Sequence, residues 1–314
     1  MSGQISLGPG AEFDAIRQLL DRWGSRAVGI GDDAAVVQVS RGDSLIVSVD
    51  SVVEGRHFRP EWLAPREIGY RAVAAALSDL AAMAARPVGI LVAIVAPEHW
   101  RERLVELADG IGDMVDLART HILGGNLSDG GELSITTTVL GEVFAPLSRR
   151  GATVGERVYV TGRLGGPAAA LARLSAGKPA GAYRDRFARP IPRLAESLWL
   201  ADAGASAAID VSDGLLADIG HLAAASNVGI ELDAGRIPLF RAGDAEDVDV
   251  DIALHSGEEY ELVVTSSELD VGEFERRFGI PLTEIGRVAR AERGNIYLSG
   301  ARVANLSGYD HLTR

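Results

Sequence analysis

The chain has 314 residues, 47% hydrophobic and 24% charged, with a net charge of −13 and no cysteine. Disulfides, thiolate metal sites and cysteine nucleophiles are excluded, and so is a nucleic-acid partner, whose phosphates need a basic face. Two domains are the default at this length; no apolar run reaches the roughly 18 residues of a membrane span and no basic segment with an apolar stretch opens the chain, so a cytoplasmic protein without a membrane partner is expected.

In chain order, residues 12–23 space Phe13, Ile16, Leu19 and Leu20 by three and four and predict a short amphipathic helix. Residues 28–36 follow, with Asp32 and Asp33 on a glycine hinge that opens into an apolar strand. The β-branched run 45–49 predicts a strand delivering Asp50 at its end, and 54–58 a loop carrying His57. An alanine-rich helix is predicted over 66–85, with Ser78 and Asp79 in its interior. A strand at 88–95, a helix at 100–119, a strand from His121 ending in a glycine turn at Gly124-Gly125, and a strand at 133–143 complete an α/β layer.

The pattern breaks near Pro146 and restarts at Arg157, which predicts domains at 1–147 and 148–314. Helices are expected after Gly165-Gly166-Pro167 and after Pro190-Ile191-Pro192. A short strand at 207–211 feeds Ser212-Asp213-Gly214, read as the cap and first turn of a helix to Ser226, whose N–H groups could receive an anion. Residues 244–251 read as an acidic solvated loop, 262–265 as a strand, 268–278 as a helix and 283–288 as a strand.

Five aspartates, Asp33, Asp50, Asp79, Asp210 and Asp213, share one setting: a short acid beside apolar or small hydroxyl residues at the edge of an otherwise apolar element. Unpaired burial of such acids is expensive, so a cationic partner is expected, and hard oxygen donors gathered from separate segments suit Mg²⁺. Each alone also reads as a turn or capping acid. Asp79 is the exception, because a mid-helix aspartate has poor propensity and caps nothing. Lys178 is the only lysine, Pro179 follows it, and Ala172 stands where a P-loop would place its first glycine, so Walker-type phosphate binding is excluded.

The ordered set Gly-Ile-Gly-Asp-Asp, Val-Asp-Ser with Glu-Gly-Arg-His-Phe, Leu-Ser-Asp-Leu-Ala-Ala-Met, Gly-Gly-Asn, Asp-Val-Ser-Asp-Gly-Leu and Gly-Glu-Glu-Tyr-Glu-Leu resembles the thiamine-monophosphate kinases. These share a superfamily with aminoimidazole-ribonucleotide synthetase and selenophosphate synthetase. The resemblance spans essentially the whole chain. It implies a two-domain PurM-like α/β fold, with an N-terminal sheet that forms a barrel-like homodimer interface and a C-terminal α/β domain, and ATP and Mg²⁺ in the cleft.

The resemblance further implies that Asp33, Asp50, Asp79 and Asp213 are catalytic. With Asp210, Ser48, Val49 and Asn126 they form its implied metal set. Gly125, Asn126, Arg149 and Ser212 are implied as ATP contacts, and His57, Glu258 and Leu306 as the side that meets thiamine phosphate. The implied reaction makes thiamine diphosphate from ATP and thiamine phosphate. Because a phosphate monoester is largely ionised near neutral pH, with a second pKa of about 6, it needs no general base. Three positions depart from the family pattern: Asn126 for an aspartate, Glu259 for an aspartate beside the substrate glutamate, and Leu306 for an aromatic that would stack on the thiamine ring. Two other readings of the motifs stay open, an ATP-dependent paralogue acting on another small phosphate, alcohol or amide, and a weakly active nucleotide-binding homologue.

Overall fold

The computed structural model describes residues 44–242, 248–290 and 293–304 and the backbone of 35–38. The predicted helix at 12–23, the acid Asp33 and the position of Leu306 lie outside the described residues. Two mixed sheets organise the rest. The first, in the order β1-β2-β5-β3-β4, combines β1 (Ala35–Gln38), β2 (Ser44–Val53), β3 (Arg86–Val95), β4 (Ile122–Ser128) and β5 (Ser134–Val143). Only β3 and β4 run parallel in it.

The helix α1 (Pro65–Ala82) packs on β2 and β5 and along α2 (Leu104–Leu117). Its composition follows from where it lies. A Cβ at Gly69 would fall 2.1 Å from the Leu107 carbonyl oxygen, and one at Gly110 would fall 1.8 Å from that of Arg66. The two helices therefore touch backbone to backbone, which only glycine permits. The opposite side of α1 meets the second domain, and Ala72, Ala74 and Ala76 are almost completely enclosed. A helix buried nearly all round has no polar face to spare, so each polar residue in it calls for a local reason.

The second sheet has the order β12-β11-β8-β10-β6-β9-β7. Its strands are β6 (Arg157–Thr161), β7 (Ala207–Asp210), β8 (Gly229–Leu232), β9 (Leu262–Ser266), β10 (Leu282–Ala289), β11 (Ile296–Leu298) and β12 (Ala301–Arg302). Around it run α3 (Gly166–Ser175), α4 (Arg184–Ala188), α5 (Leu194–Asp202), α6 (Leu215–Ser226), α7 (Val250–His255) and α8 (Val271–Phe278). No helix among the described residues is long and apolar enough to cross a membrane.

Four local expectations are corrected. Asp50 lies inside β2 rather than at its end, because pairing with β5 continues to Val53 opposite Ser134. Gly124 and Gly125 are strand residues, not a turn: a Cβ at Gly125 would sit 2.0 Å from the Val92 carbonyl oxygen, so glycine there serves the close approach of β4 to β3. Of the predicted loop 244–251, residues 244–247 lie outside the described residues, and Val250 and Asp251 instead open α7, capped where the Asp249 carboxylate accepts the Ile252 N–H at 2.8 Å. Finally, α6 begins only at Leu215, leaving Ser212 to Gly214 as a turn before it.

Candidate functional site

Between the domains lies a cleft of about 710 Å³. Asp50 and Val49 from β2, Asp79 from α1, Asp210 from β7 and Ser212 and Asp213 from the following turn all line it, and so do His57 and Glu258. Eight of the residues expected from the sequence thus share one wall system. They come from both domains because α1 lies between the sheets.

Two serine hydroxyls make that junction specific. Ser48 of β2 donates to Asp79 Oδ2 at 2.5 Å, and Ser78, one residue earlier on α1, donates to Asp210 Oδ2 at 2.6 Å. A strand hydroxyl thereby orients the helix acid, and a helix hydroxyl orients the acid of the other sheet. Asp210 is 2% exposed, so its hydrogen bond offsets a desolvation cost that an unpaired acid would bear in full. Among the described residues no three acidic or histidine side chains stand close enough to form a ready-made cation cage. The carboxylates that line the cleft are hard oxygen donors of the kind that suits Mg²⁺, which takes one or two of them and completes its shell with water and phosphate oxygens.

The turn after β7 is not an open anion cradle. The N–H groups of Ser212, Asp213 and Gly214 all donate to Asp218 Oδ2, each at 3.1 Å. The expected anion-binding N–H groups are therefore used within the chain. Burial, with the charges of Asp213 and Asp210 beside it, pushes the Asp218 carboxyl well above the usual carboxylate range. On the far side of the same turn, the Ser212 carbonyl accepts the Glu258 N–H at 2.7 Å and the Val211 carbonyl accepts the Tyr260 N–H at 2.9 Å. Glu258 and Tyr260 take left-handed φ angles of +57° and +51°. Such strain costs about 1–3 kcal/mol each and persists only where surrounding contacts hold it.

The Glu258 carboxylate is ion-paired to Arg71, a buried residue of α1 that also donates to the Phe187 carbonyl and lies 4.4 Å from the Phe187 ring centre. Arg71 and Ser78 are seven residues apart and share one helical face, a signal that the sequence carried and that Asp79 alone did not exhaust. His57 accepts the Val53 N–H on Nδ1 at 3.1 Å. Neutral His57 then carries its proton on Nε2, as a donor. Arg56, Arg59, Trp62, Phe58, Phe187, Tyr260 and His255 also line the cleft and were not singled out from sequence. An aromatic or arginine in a loop gives no sign of which way it faces.

Glu259 is corrected most. It does not reach the cleft: it is 2% exposed and accepts from Gly165 N at 2.5 Å, Ser256 Oγ at 2.6 Å and Arg186 at 3.0 Å. Burial raises its carboxyl to about 7. The extra methylene relative to aspartate is spent on the start of α3, not on a ligand. Gly125 and Asn126 lie on the exposed edge strand β4, Ser48 is turned to Asp79, and Arg149 sits at the connection between the domains; none of these four lines the cleft.

Residues 31–143 match the family model of the AIR synthase related protein N-terminal domain, and residues 153–299 match that of its C-terminal domain. The thiamine-monophosphate kinase of Escherichia coli strain K12 is 34% identical over 323 residues, covering 96% of this chain and 98% of that protein. The crystal structure of thiamine-monophosphate kinase from Stenotrophomonas maltophilia K279a is 34% identical, with a TM-score of 0.77, and covers 96% of this chain and all of that one. The structure of AaThiL complexed with AMPPCP and TMP reaches a TM-score of 0.85 at 28% identity, covering 96% of this chain and 97% of that one. With both of its domains matched and relatives above 30% identity along nearly its full length, the chain belongs to the thiamine-monophosphate kinase family.

Proposed function

We propose that the cleft transfers the γ-phosphoryl group of ATP to thiamine monophosphate, giving thiamine diphosphate and ADP. The observation that carries this reading is the meeting of four aspartates from β2, α1, β7 and its turn with His57 and Glu258 in one inter-domain cleft. The chemistry agrees with the residues. An ionised phosphate acceptor needs alignment and charge neutralisation rather than a base, and no nucleophile-base pair is required of the lining. His57 Nε2–H is suited to the acceptor phosphate. The thiazolium ring of thiamine is a cation, which suits the Glu258 carboxylate and the aromatic wall of Phe58, Trp62 and Phe187.

Asp50, Asp79, Asp210 and Asp213 are the residues that would hold Mg²⁺, and for Asp33 and the Val49 position the family motif is the support. The ion neutralises phosphate charge and orients the transferring group when bound. Ser212 is read as a nucleotide contact on the family motif and on its place in the cleft wall beside Asp213. For Gly125, Asn126 and Arg149 the family motif is the support for an ATP contact. For Leu306 it is the support for a place beside the thiamine ring. The decisive experiment is turnover with Mg-ATP and thiamine phosphate, thiamine or aminoimidazole ribotide as acceptor, with thermal melting in parallel. Thiamine diphosphate and equimolar ADP are expected from thiamine phosphate alone. Turnover of another acceptor, with none of thiamine phosphate, overturns the substrate, and melting raised by ATP without turnover supports a binding homologue instead.

The same reading includes a homodimer. The face of the first sheet opposite α1 presents Leu45, Val47 and Val49 of β2, Leu140 of β5 and Leu91 of β3, with no described helix over it. An apolar sheet face of this kind is suited to a second copy of itself across a twofold axis. Wild type is expected to sediment as a dimer at micromolar concentration and Leu91→Glu as a monomer; a monomeric wild type overturns the dimer.

A further inference from the structure

Asp218 lies outside every set of site residues drawn from the sequence motifs, yet it is bonded directly to the turn that lines the cleft. It is 2% exposed, and one of its oxygens accepts three consecutive backbone N–H groups, those of Ser212, Asp213 and Gly214. A buried carboxylate that spends one oxygen on three amides of a single turn fixes three peptide planes at once. It does so from the first turn of α6.

We propose that Asp218 is a positioning residue for the transfer reaction, holding the Ser212–Gly214 turn so that Asp213 and Ser212 face the cleft in one fixed geometry. The inference rests on the kinase reading of that cleft. Three surrounding contacts leave the turn little room to move. The Ser212 carbonyl is held from the opposite side by the Glu258 N–H. A Cβ on Gly257 would fall 2.7 Å from that same carbonyl oxygen. Gly214 takes φ +120°, with its Cβ position 3.2 Å from the His255 backbone, so the turn closes only with glycine there. The turn thus lies between Asp218 and the Glu258 segment, and its register sets the nucleotide side and the thiamine side of the cleft together.

Misplacing a reacting group by about 1 Å costs roughly 100-fold in rate. Asp218→Ala removes the acceptor and is expected to lower kcat by about 30-fold or more, with a smaller change in KM for thiamine phosphate. Asp218→Asn keeps one carbonyl oxygen where three N–H groups converge, so it is expected to stay within about 5-fold of wild type, because an amide oxygen also accepts hydrogen bonds. A purely structural acid would instead lower melting in both variants and leave kcat per folded molecule unchanged. The second readout needs no turnover: amide hydrogen exchange at Ser212, Asp213 and Gly214 in the ligand-free protein is expected to quicken in Asp218→Ala and to stay slow in Asp218→Asn. The rise in melting temperature with Mg-ATP should shrink in the alanine variant only. Should the alanine variant not fold, Asp218→Ser, whose short hydroxyl cannot reach all three amides, takes its place with the same expectations. Wild-type kcat, or unchanged exchange at the three amides, in a folded alanine or serine variant overturns the proposal, as does an asparagine variant that loses as much as alanine. If wild type makes no thiamine diphosphate, the substrate reading falls, while the exchange and Mg-ATP measurements still decide the role of Asp218.

Discussion

Asp213→Asn is expected to reduce thiamine diphosphate formation by roughly 100-fold or more, the usual scale for removing a preorganised electrostatic stabiliser from a phosphoryl-transfer site. The same substitution is expected to leave melting unchanged or raise it. The reason is the sign of the local electrostatics: the Asp213 charge is one of the causes that push the buried Asp218 carboxyl upward, so its presence costs folding energy. Neutralising it relieves that cost, while the Asp213 backbone N–H still donates to Asp218. Asp50→Asn is expected to lose activity on the same scale. Asp210→Asn is different, because Asp210 is buried and receives the Ser78 hydroxyl, so both activity and melting should fall. Initial rates of ADP release across a Mg²⁺ titration, with calorimetry in parallel, separate the three variants. Activity within about tenfold of wild type for Asp213→Asn, a loss of only about 1.4 kcal/mol, removes it from the reacting assembly.

How much of this was legible beforehand depended on whether a residue broke the local pattern. Asp79 stood out because an acid inside an alanine-rich helix has neither propensity nor capping to explain it, and it lines the cleft. Arg71 broke the same pattern one helical face earlier and carried the same signal. His57 was legible only through the acids near it in sequence. The glycines at Gly124 and Gly125 were not legible, since a pair of glycines marks an open turn and a close strand approach equally well. Here the Val92 carbonyl decides for the strand.

The acids after β7 and before β9 show the remaining limit. Ser212-Asp213-Gly214 has the composition of a helix cap, and only the position of Asp218 reveals that the amides are already taken. Glu258, Glu259 and Glu261 are nearly indistinguishable in sequence, yet one borders the cleft, one anchors α3 and one is enclosed by arginines. Strand alternation does not assign them, because Glu258 and Tyr260 sit at left-handed φ and break the period of two. Long-range partners, from Arg193, 68 residues before Glu261, to Arg71, 187 residues before Glu258, determine which acid serves ligand and which serves fold, and periodicity carries no information at that range.

Arg193→Met is expected to be the most destabilising single change in the second domain, by about 3 kcal/mol, the lower end of the cost of breaking a buried ion pair. Glu261 is fully enclosed and receives Arg193 through Nε at 2.7 Å and through a terminal nitrogen at 2.6 Å. It also receives Thr161 Oγ1 at 2.7 Å and Arg186 at 3.0 Å, which is why the loss falls at the lower end. Burial alone would push the Glu261 carboxyl up, but Arg193 and Arg186 together hold it below the ordinary value of 4.5. A depressed folded pKa contributes stability that is present above the unfolded pKa and is lost as pH falls through the folded one. With Arg193 removed, burial dominates and the Glu261 carboxyl rises, so the variant becomes progressively less penalised in acid. The gap in melting temperature between wild type and Arg193→Met should therefore be widest above the raised Glu261 value of the variant, at roughly 6–12 °C for a domain of this size, and should narrow as pH falls through it and on below the unfolded value. Melting curves at pH 7.5 and pH 4 test both magnitude and sign. A gap under about 2 °C at pH 7.5 would mean that desolvation of the pair cancels its attraction, and a gap that widens in acid would mean that Glu261 is not the carboxylate Arg193 keeps ionised.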